Sequence, residues 1–330
     1  MILLYNKQIT PIRKSLEKNK GCEIWAIGGG KGGTGKSFIT SSIGAHLAAK
    51  GKRVVLIDAD WGGANLHSFF GVNRPQNSLS DFFEKKVPLK SLIMNCGISG
   101  LGLIMGNLPS LDSGDIKYAQ KIKFFNHVKM LDADYILIDL GAGSHNNTMD
   151  TFLLADKMIV VIIPEITSIE NMYHFIKNVF FRKLKVVLNS HGLKDSVNDA
   201  WKNRGIHGIK TLKELIAYLA GISPHIKDII DKEMSDFRMH IILNQIRSSR
   251  DITVGTSIKS VCLKFLGMHT QYAGYIEYDN CVTSCINKKQ QYMLTYPFSH
   301  VAKSIGRLSD NLIYVKEVTA ATDEYSPGRL

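Results

Sequence analysis

The segment Gly30-Lys31-Gly32-Gly33-Thr34-Gly35-Lys36-Ser37 limits what this chain can fold into more than any other. It fits G-x-x-x-x-G-K-[ST] and lies where that pattern carries meaning, between a short apolar run, Glu23 to Ile27, and a helical stretch, Lys36 to Lys50. Glycines allow the backbone to turn N–H groups inward around phosphate oxygens, so Gly32, Gly33, Thr34 and Gly35 form a cradle. The helix that follows adds the positive end of its dipole. Lys36 is placed to reach β- and γ-phosphates, and the Ser37 hydroxyl to ligate Mg²⁺. The expected ligand is a magnesium nucleotide.

The chain continues in the same alternation. Val54 to Ile57, Leu101 to Met105, Tyr135 to Ile138, Met158 to Ile163, Met239 to Leu243 and Tyr272 to Ile276 are short and rich in Val, Ile or Leu, and most are separated by helix-length segments. The pattern predicts an α/β fold, a mostly parallel sheet with helices on both faces. Ligands of such sheets bind beyond the carboxyl ends of the strands. The chemistry-bearing residues sit there. Asp58 and Asp60 follow the Val54 run, where a magnesium nucleotide site needs acidic groups to hold metal waters and position an attacking water. Asp139 ends Tyr135-Ile-Leu-Ile-Asp, the Walker B pattern, and is expected to bind Mg²⁺ through water. Gly141 and Gly143 follow in D-L-G-A-G, where glycine lets a switch loop bring a backbone N–H to a γ-phosphate.

Residues 186–237 break the rhythm, being mostly polar and helical. Thr211-Leu-Lys-Glu214 is a capping box, and Ser223-Pro224 opens an amphipathic helix through about Met234. We read a helical insertion on a single domain spanning 21–316, preceded by a basic leader (1–20) with a helix start at Thr10-Pro11 and followed by a polar tail (317–330). Val301, Ile305, Leu308, Leu312 and Val315 recur at helical spacing and predict a final helix that faces the core rather than a membrane. The composition, 45% hydrophobic and 21% charged, argues against disorder. The longest apolar run, Met158 to Ile163, is far below the roughly 18 residues of a membrane span. Five scattered cysteines fit reduced thiols and a cytoplasmic chain. A net charge of +12 raises affinity for nucleic acid, anionic lipid and nucleotide without choosing among them.

Lys31 adds a second lysine at the start of the phosphate loop. From charge alone, it could contact its own phosphates or be solvated. Yet K-G-G-x-G-K-[ST] is the deviant phosphate loop of the ParA/MinD family, and Lys31 to Ser37 resembles it at every fixed position. The resemblance implies that Lys31 crosses a dimer interface to the partner's nucleotide and supplies charge in trans, as an arginine finger would. The family's D-x-D followed by N-L is similar to Asp58, Asp60, Asn65 and Leu66 here. This implies that Asp60 contacts the attacking water and Asp58 lies nearer the metal. Ile162-Ile-Pro-Glu165-Ile-Thr-Ser168 resembles the P-E-x-x-S loop of the dimer interface, which makes Glu165 a candidate partner for Lys31. Asn244, in Ile241-Ile-Leu-Asn-Gln-Ile-Arg247, corresponds to an asparagine that reads the adenine edge, and Gly274 to Asp279 to the other base-side loop. No N-K-x-D guanine motif is present, which favours ATP over GTP.

The resemblance covers about 23–315, and the runs 139–177 and 244–297 are most similar to a MinD-like subgroup typified by FlhG/FleN, the flagellar-number regulators. The chain departs from it at Leu140-Gly141, where many relatives have D-x-P, in a leader without a D-Q-A-x-x-L-R type element, and in lacking an obvious C-terminal membrane helix. The implied activity is slow, switch-type ATP hydrolysis. ATP and Mg²⁺ would bridge a homodimer that binds an unidentified protein partner or surface until hydrolysis releases it. The implied output is spatial positioning, including flagellar placement or number, in the cytoplasm or peripherally at a membrane or cell pole. DNA and an anionic membrane are both open as surfaces. Lys177, Arg182, Lys183 and Lys185 could touch DNA phosphates or form a solvated charge run.

Other classes share the loop. A DNA-partitioning ATPase of ParA type is one. An iron–sulfur cluster carrier would need cysteines facing across a dimer; Cys281 and Cys285, four apart, would share a helix face. A bacterial tyrosine kinase would want a tyrosine-rich tail, where only Tyr314 and Tyr325 lie near the end. An ATP-dependent ligase of the dethiobiotin or cobyrinate type leaves no signature of its small-molecule pocket.

Overall fold

Eight strands make one sheet: β1 (Glu23–Gly28), β2 (Val54–Ala59), β3 (Met94–Asn95), β4 (Leu101–Ile104), β5 (Tyr135–Leu140), β6 (Lys157–Ile162), β7 (Met239–Ile246) and β8 (Thr270–Glu277). This is a computed structural model that describes residues 21–60, 63–72, 77–106, 116, 118–193 and 196–316. The leader with Thr10-Pro11 and the tail with Tyr325 lie outside the described residues. The strand order is β3-β4-β2-β5-β1-β6-β7-β8. Every neighbouring pair runs parallel except β3 with β4. The two-residue β3 at the edge had no sequence signal, since a strand that short has no period to read.

The helices are α1 (Lys36–Ala49), α2 (Leu79–Glu84), α3 (Tyr118–Lys129), α4 (Asn146–Leu154), α5 (Ile166–Ser190), α6 (Ser196–Lys202), α7 (Leu212–Ala220), α8 (Pro224–Ser235), α9 (Ser249–Val261), α10 (Asn280–Asn287), α11 (Tyr292–Thr295) and α12 (His300–Tyr314). Successive side chains of β1 point to opposite faces. Ile24 and Ala26 join one core with α3, α4, α5 and α6–α8, while Trp25 and Ile27 join the other with α1 and α12. Both faces are covered, which is why the strands read as continuous apolar runs and pair in parallel. Crossing from β5 to β1 to β6 puts the end of β1 at the middle of the sheet, where helices to either side leave a crevice.

The final helix packs as the sequence predicts. Val301, Ile305, Leu308 and Leu312 are buried in the second core. Val315 is not part of that stripe. It lies just past the helix end, 53% exposed, with left-handed backbone. Between β6 and β7 the helix α5 continues through residue 190, past the expected start of the insertion at 186, and α6, α7 and α8 follow. Thr211 and Glu214 form their capping box, and the Ser223 hydroxyl accepts the Ile226 N–H at 3.2 Å. Leu212, Leu215 and Leu219 are fully buried against the first core. Truncating one of them to alanine would cost about 2–5 kcal/mol.

Candidate functional site

Strand β1 carries the chain to the carboxyl end of the sheet, and residues 29–35 turn there into α1. Gly35 caps α1 with a left-handed backbone, φ 91°. A Cβ at this position would stand 2.2 Å from Asn244 Nδ2, so glycine is required twice over. The Asn244 Nδ2 donates to the Thr34 carbonyl at 2.8 Å, and Gln245 Nε2 to the Gly33 carbonyl at 3.3 Å. The end of β7 therefore clamps the loop from outside. Gln245 reaches it from a left-handed backbone, φ 60°, where the β7–β8 pairing slips register between Leu243 and Ile246.

Lys36 is buried and donates to the Lys31 carbonyl at 3.2 Å. Burial pulls its pKa down, against the charges of Asp139 and Asp60. Asp58 and Asp139 are neighbours in the β2–β5 register and both are buried. Burial, and for Asp139 the charge of Asp58, pushes both carboxyls above their ordinary range. Asp58 accepts the N–H groups of Leu66 at 2.9 Å and Asp60 at 3.2 Å. Asp139 accepts the hydroxyls of Ser37 and Thr40, the latter at 3.2 Å. Hard oxygen donors thus converge behind the loop, from Ser37, Asp58 and Asp139. Such a set suits Mg²⁺, whose charge would also relieve the repulsion between the two buried carboxylates. The Thr34 hydroxyl is buried with no hydrogen-bond partner.

Asp60 and the loop after β5 meet at the mouth. A Cβ on Gly141 would lie 2.6 Å from Asp60 Oδ1, so any side chain there would displace the carboxylate. Gly143 is left-handed, φ 91°, but its N–H donates to the Gly29 carbonyl at 3.2 Å rather than facing the cleft. Lys31 does not line the cleft. Its amine binds Glu165 Oε2 at 2.6 Å and Thr167 Oγ1 at 3.0 Å, and the lysine and glutamate side chains are 32% and 56% exposed. The Ser168 hydroxyl accepts the Ile163 N–H at 3.2 Å and holds that loop in shape.

The cleft itself measures about 420 Å³. Gly32, Gly33, Lys36, Ser37, Asp60 and Asn65 line one part; Phe69, Ile276, Tyr278, Val282 and Ile286 line an apolar part. The Arg247 guanidinium lies 3.8 Å from the centre of the Tyr278 ring. Phe69, Gln245, Ile286 and the Arg247–Tyr278 stack were not singled out from sequence. Nothing in the sequence flags Gln245, whose reach depends on the register slip in β7, and nothing in the spacing links Arg247 to Tyr278. Asp279, in the expected base-side loop, is a cap: its Oδ1 accepts the Cys281 N–H at 2.7 Å and its Oδ2 the Tyr292 hydroxyl at 2.6 Å.

The basic run on α5 is engaged within the fold. Arg182 forks onto Asp150, and Lys183 is buried on the Glu233 carboxylate at 3.0 Å. Lys177 and Lys185 lie over the rings of Trp201 and Phe181. Arg182 and Lys183 are therefore held by ion pairs within the fold, while Lys177 and Lys185 are half-buried.

A model of the ParA family, described as an NUBPL iron-transfer P-loop NTPase, matches residues 22–208. The antiactivator FleN of Pseudomonas aeruginosa is 22% identical over 281 residues, which cover 84% of this chain and 81% of FleN. The flagellum site-determining protein YlxH of Helicobacter pylori is 34% identical over 177 residues, 50% of this chain and 56% of YlxH, so that match spans about half of each protein. The fold is that of the septum site-determining protein MinD of Pyrococcus horikoshii complexed with Mg-ADP, with TM-score 0.58, 21% identity, and coverage of 89% of this chain and 97% of that one. Among the described residues no helix is long and apolar enough to cross a membrane.

Proposed function

The chain belongs to the ParA/MinD family of P-loop NTPases, and from that premise we propose that it is an ATP-operated dimerising switch that hydrolyses Mg-ATP slowly to control spatial positioning, with flagellar placement or number as its output. The observation that carries this reading is the pairing of two features at the cleft mouth. The Asp60 carboxylate stands against Gly141, and Lys31 is displayed on the exposed rim beside Glu165.

The roles follow from position. Lys36 and the N-terminus of α1 hold phosphate oxygens. Ser37 offers its hydroxyl to Mg²⁺, with Asp139 and Asp58 behind it as acceptors for metal-bound water. Bound Mg²⁺ would supply charge neutralisation at the β- and γ-oxygens. Asp60 orients the attacking water and takes up its proton. Lys31 leaves Glu165 and Thr167 and reaches a partner's phosphates when two copies face each other. Asn244 lines the cleft with its amide, for which the expected adenine contact and the observed Thr34 clamp both have use, since one Nδ2 hydrogen is engaged and Oδ1 can accept. FleN and YlxH support the flagellar output, and the location we propose is the cytoplasm or, peripherally, a membrane or cell pole.

Iron transfer, named in the family description, has no support from the cysteines. Cys285 is buried at 3% exposure on the inner side of α10 and only Cys281 is half-exposed, and the described residues contain no cluster of three or more metal-ligating His, Cys, Asp or Glu. The test of the switch reading is turnover by the Asp60→Ala variant. It should bind ATP like the wild type and hydrolyse it at least about a hundredfold more slowly. Wild-type turnover would refute the assignment of Asp60.

A further inference from the structure

A second cavity, of about 800 Å³, lies where the strands begin, at the opposite end of the sheet from the nucleotide cleft. Trp25 pairs with Lys157, Ile159 with His240, and His240 with Gln271 in the register of β1, β6, β7 and β8. Trp25 and Ile159 face the second core, so Lys157, His240 and Gln271 share that face. The helix α12 packs there, and its end brings Ile313 and then Val315 into the cavity lining.

His240 is 3% exposed, yet both nitrogens of its ring are buried without a hydrogen-bond partner. Gln271 beside it gives its Nε2 to the Lys316 carbonyl at 2.7 Å. A buried polar ring left unpaired is costly, and such a group marks a place that a further molecule completes. Lys157 binds Glu23 Oε2 at 2.8 Å. Arg238 is exposed at the rim, and its guanidinium has no hydrogen bond or ion pair among the described residues. The charges of Lys157 and Arg238 both act on the His240 ring and, with burial, keep it neutral, so it has one N–H to donate.

These groups select a ligand. A guanidinium beside a ring N–H suits a carboxylate or a phosphate. Glu23 and Asp156 also line the cavity and balance Lys157 and Arg238 charge for charge. A dianion would meet two carboxylates there, whereas a monoanion meets a neutral surround. Met234, Ile313 and Val315 offer an apolar wall for the rest of the molecule.

We propose that this cavity binds a small amphipathic monocarboxylate, its carboxylate between Arg238 and His240 and its aliphatic chain along Met234, Ile313 and Val315. The site goes beyond the switch reading and does not depend on it. His240 lies near the start of β7, whose far end carries Asn244 and Gln245 against the phosphate loop, so the ligand and a nucleotide occupy opposite ends of one strand.

The test is a titration of the full chain, labelled in its histidine rings, with hexanoate as the probe and ADP·Mg²⁺ present or absent. The His240 signals, assigned by their loss in His240→Leu, should shift saturably with a Kd of about 1 mM, the same with and without the nucleotide. Acetate, which lacks the chain, and hexylammonium, which reverses the charge, should each bind at least about tenfold more weakly. Arg238→Gln, a change at an exposed side chain far from the cleft, should weaken hexanoate about tenfold and keep the wild-type ATPase rate. A His240 ring that does not respond at ten times the expected Kd would overturn the proposal and leave water as its partner. Equal binding of acetate, hexylammonium or inorganic phosphate, or wild-type affinity in Arg238→Gln, would overturn it as well. None of these outcomes depends on whether ATP dimerises the chain, so the site and the switch reading stand or fall separately.

Discussion

At one end of the cleft a single stretch of backbone, residues 29–36, meets carboxylates that end two adjacent strands. At the other end, side chains from three separate segments, around Phe69, Gln245 and Tyr278, come together only through the fold, and Arg247 stacks on the Tyr278 ring. In the proposed reading the first end takes the phosphates and is made from backbone geometry that few sequences can produce, whereas the second takes the base and is made from stacking surfaces that many residues can supply. The first should be brittle and the second tolerant. Substitutions at the two ends should therefore differ in size and in kind.

The largest effect is expected from Lys36→Ala, which removes the one ammonium group inside the phosphate end. Nucleotide affinity measured by titration calorimetry should fall about a hundredfold, as for a lost charge-assisted contact. Normal affinity in a folded variant would mean that the cleft is not the nucleotide site. Gly141→Ala comes next. The added Cβ would displace Asp60, so kcat should drop about tenfold or more while ADP affinity holds. An unchanged kcat would separate Asp60 from the chemistry.

The base end should respond more mildly. Arg247→Ala or Tyr278→Ala removes a stacked cation–ring pair worth about 1 kcal/mol, so ATP affinity should fall about fivefold with kcat at saturation unchanged. A loss as large as that of Lys36→Ala would erase the contrast between the two ends.

The smallest effect lies away from both, near the amino end of the sheet. Burial, and then the charge of Lys157, push the His240 pKa down from 6.5 to about 4, against the raising influence of the Gln271 side chain. The unfolded chain therefore takes up a proton at a pH where the native chain does not. The stability that neutral His240 contributes is present above pH 6.5 and is lost as pH falls toward 4. Asp58 and Asp139, with raised pKa values, act in the opposite sense, so the comparison must be wild type against His240→Leu. That variant should lose a pH-dependent component of about 3 kcal/mol over this window in urea unfolding. Identical pH profiles would show that His240 does not stay neutral in the fold.

The same contrast explains what could be read from sequence. The loop, the strand-end carboxylates and the β/α alternation are local and periodic, so their positions were legible before any coordinates. The Lys31–Glu165 contact joins residues far apart in the chain, and its two members were named only because each sits in a recognisable loop. Arg247 and Tyr278 each lie in a stretch matched to the family's base side, but their stacking was not legible, because it depends on the pairing of β7 with β8. Gly143 is a case where the position was read but the bond was not, because which acceptor its N–H finds is set by Gly29 across the sheet. The ion pairs that engage Arg182 and Lys183 were likewise hidden, since their partners sit on α4 and α8.

The central claim is that nucleotide decides the number of subunits. Light scattering coupled to size exclusion tests it directly, on the wild type and Asp60→Ala, each with ADP and with ATP·Mg²⁺. The account predicts a monomer with ADP, a dimer with ATP, and a dimer that persists in the Asp60→Ala variant because hydrolysis no longer dissolves it. A mass that is the same with either nucleotide, in both proteins, would contradict the switch and leave Lys31 bound to its own chain.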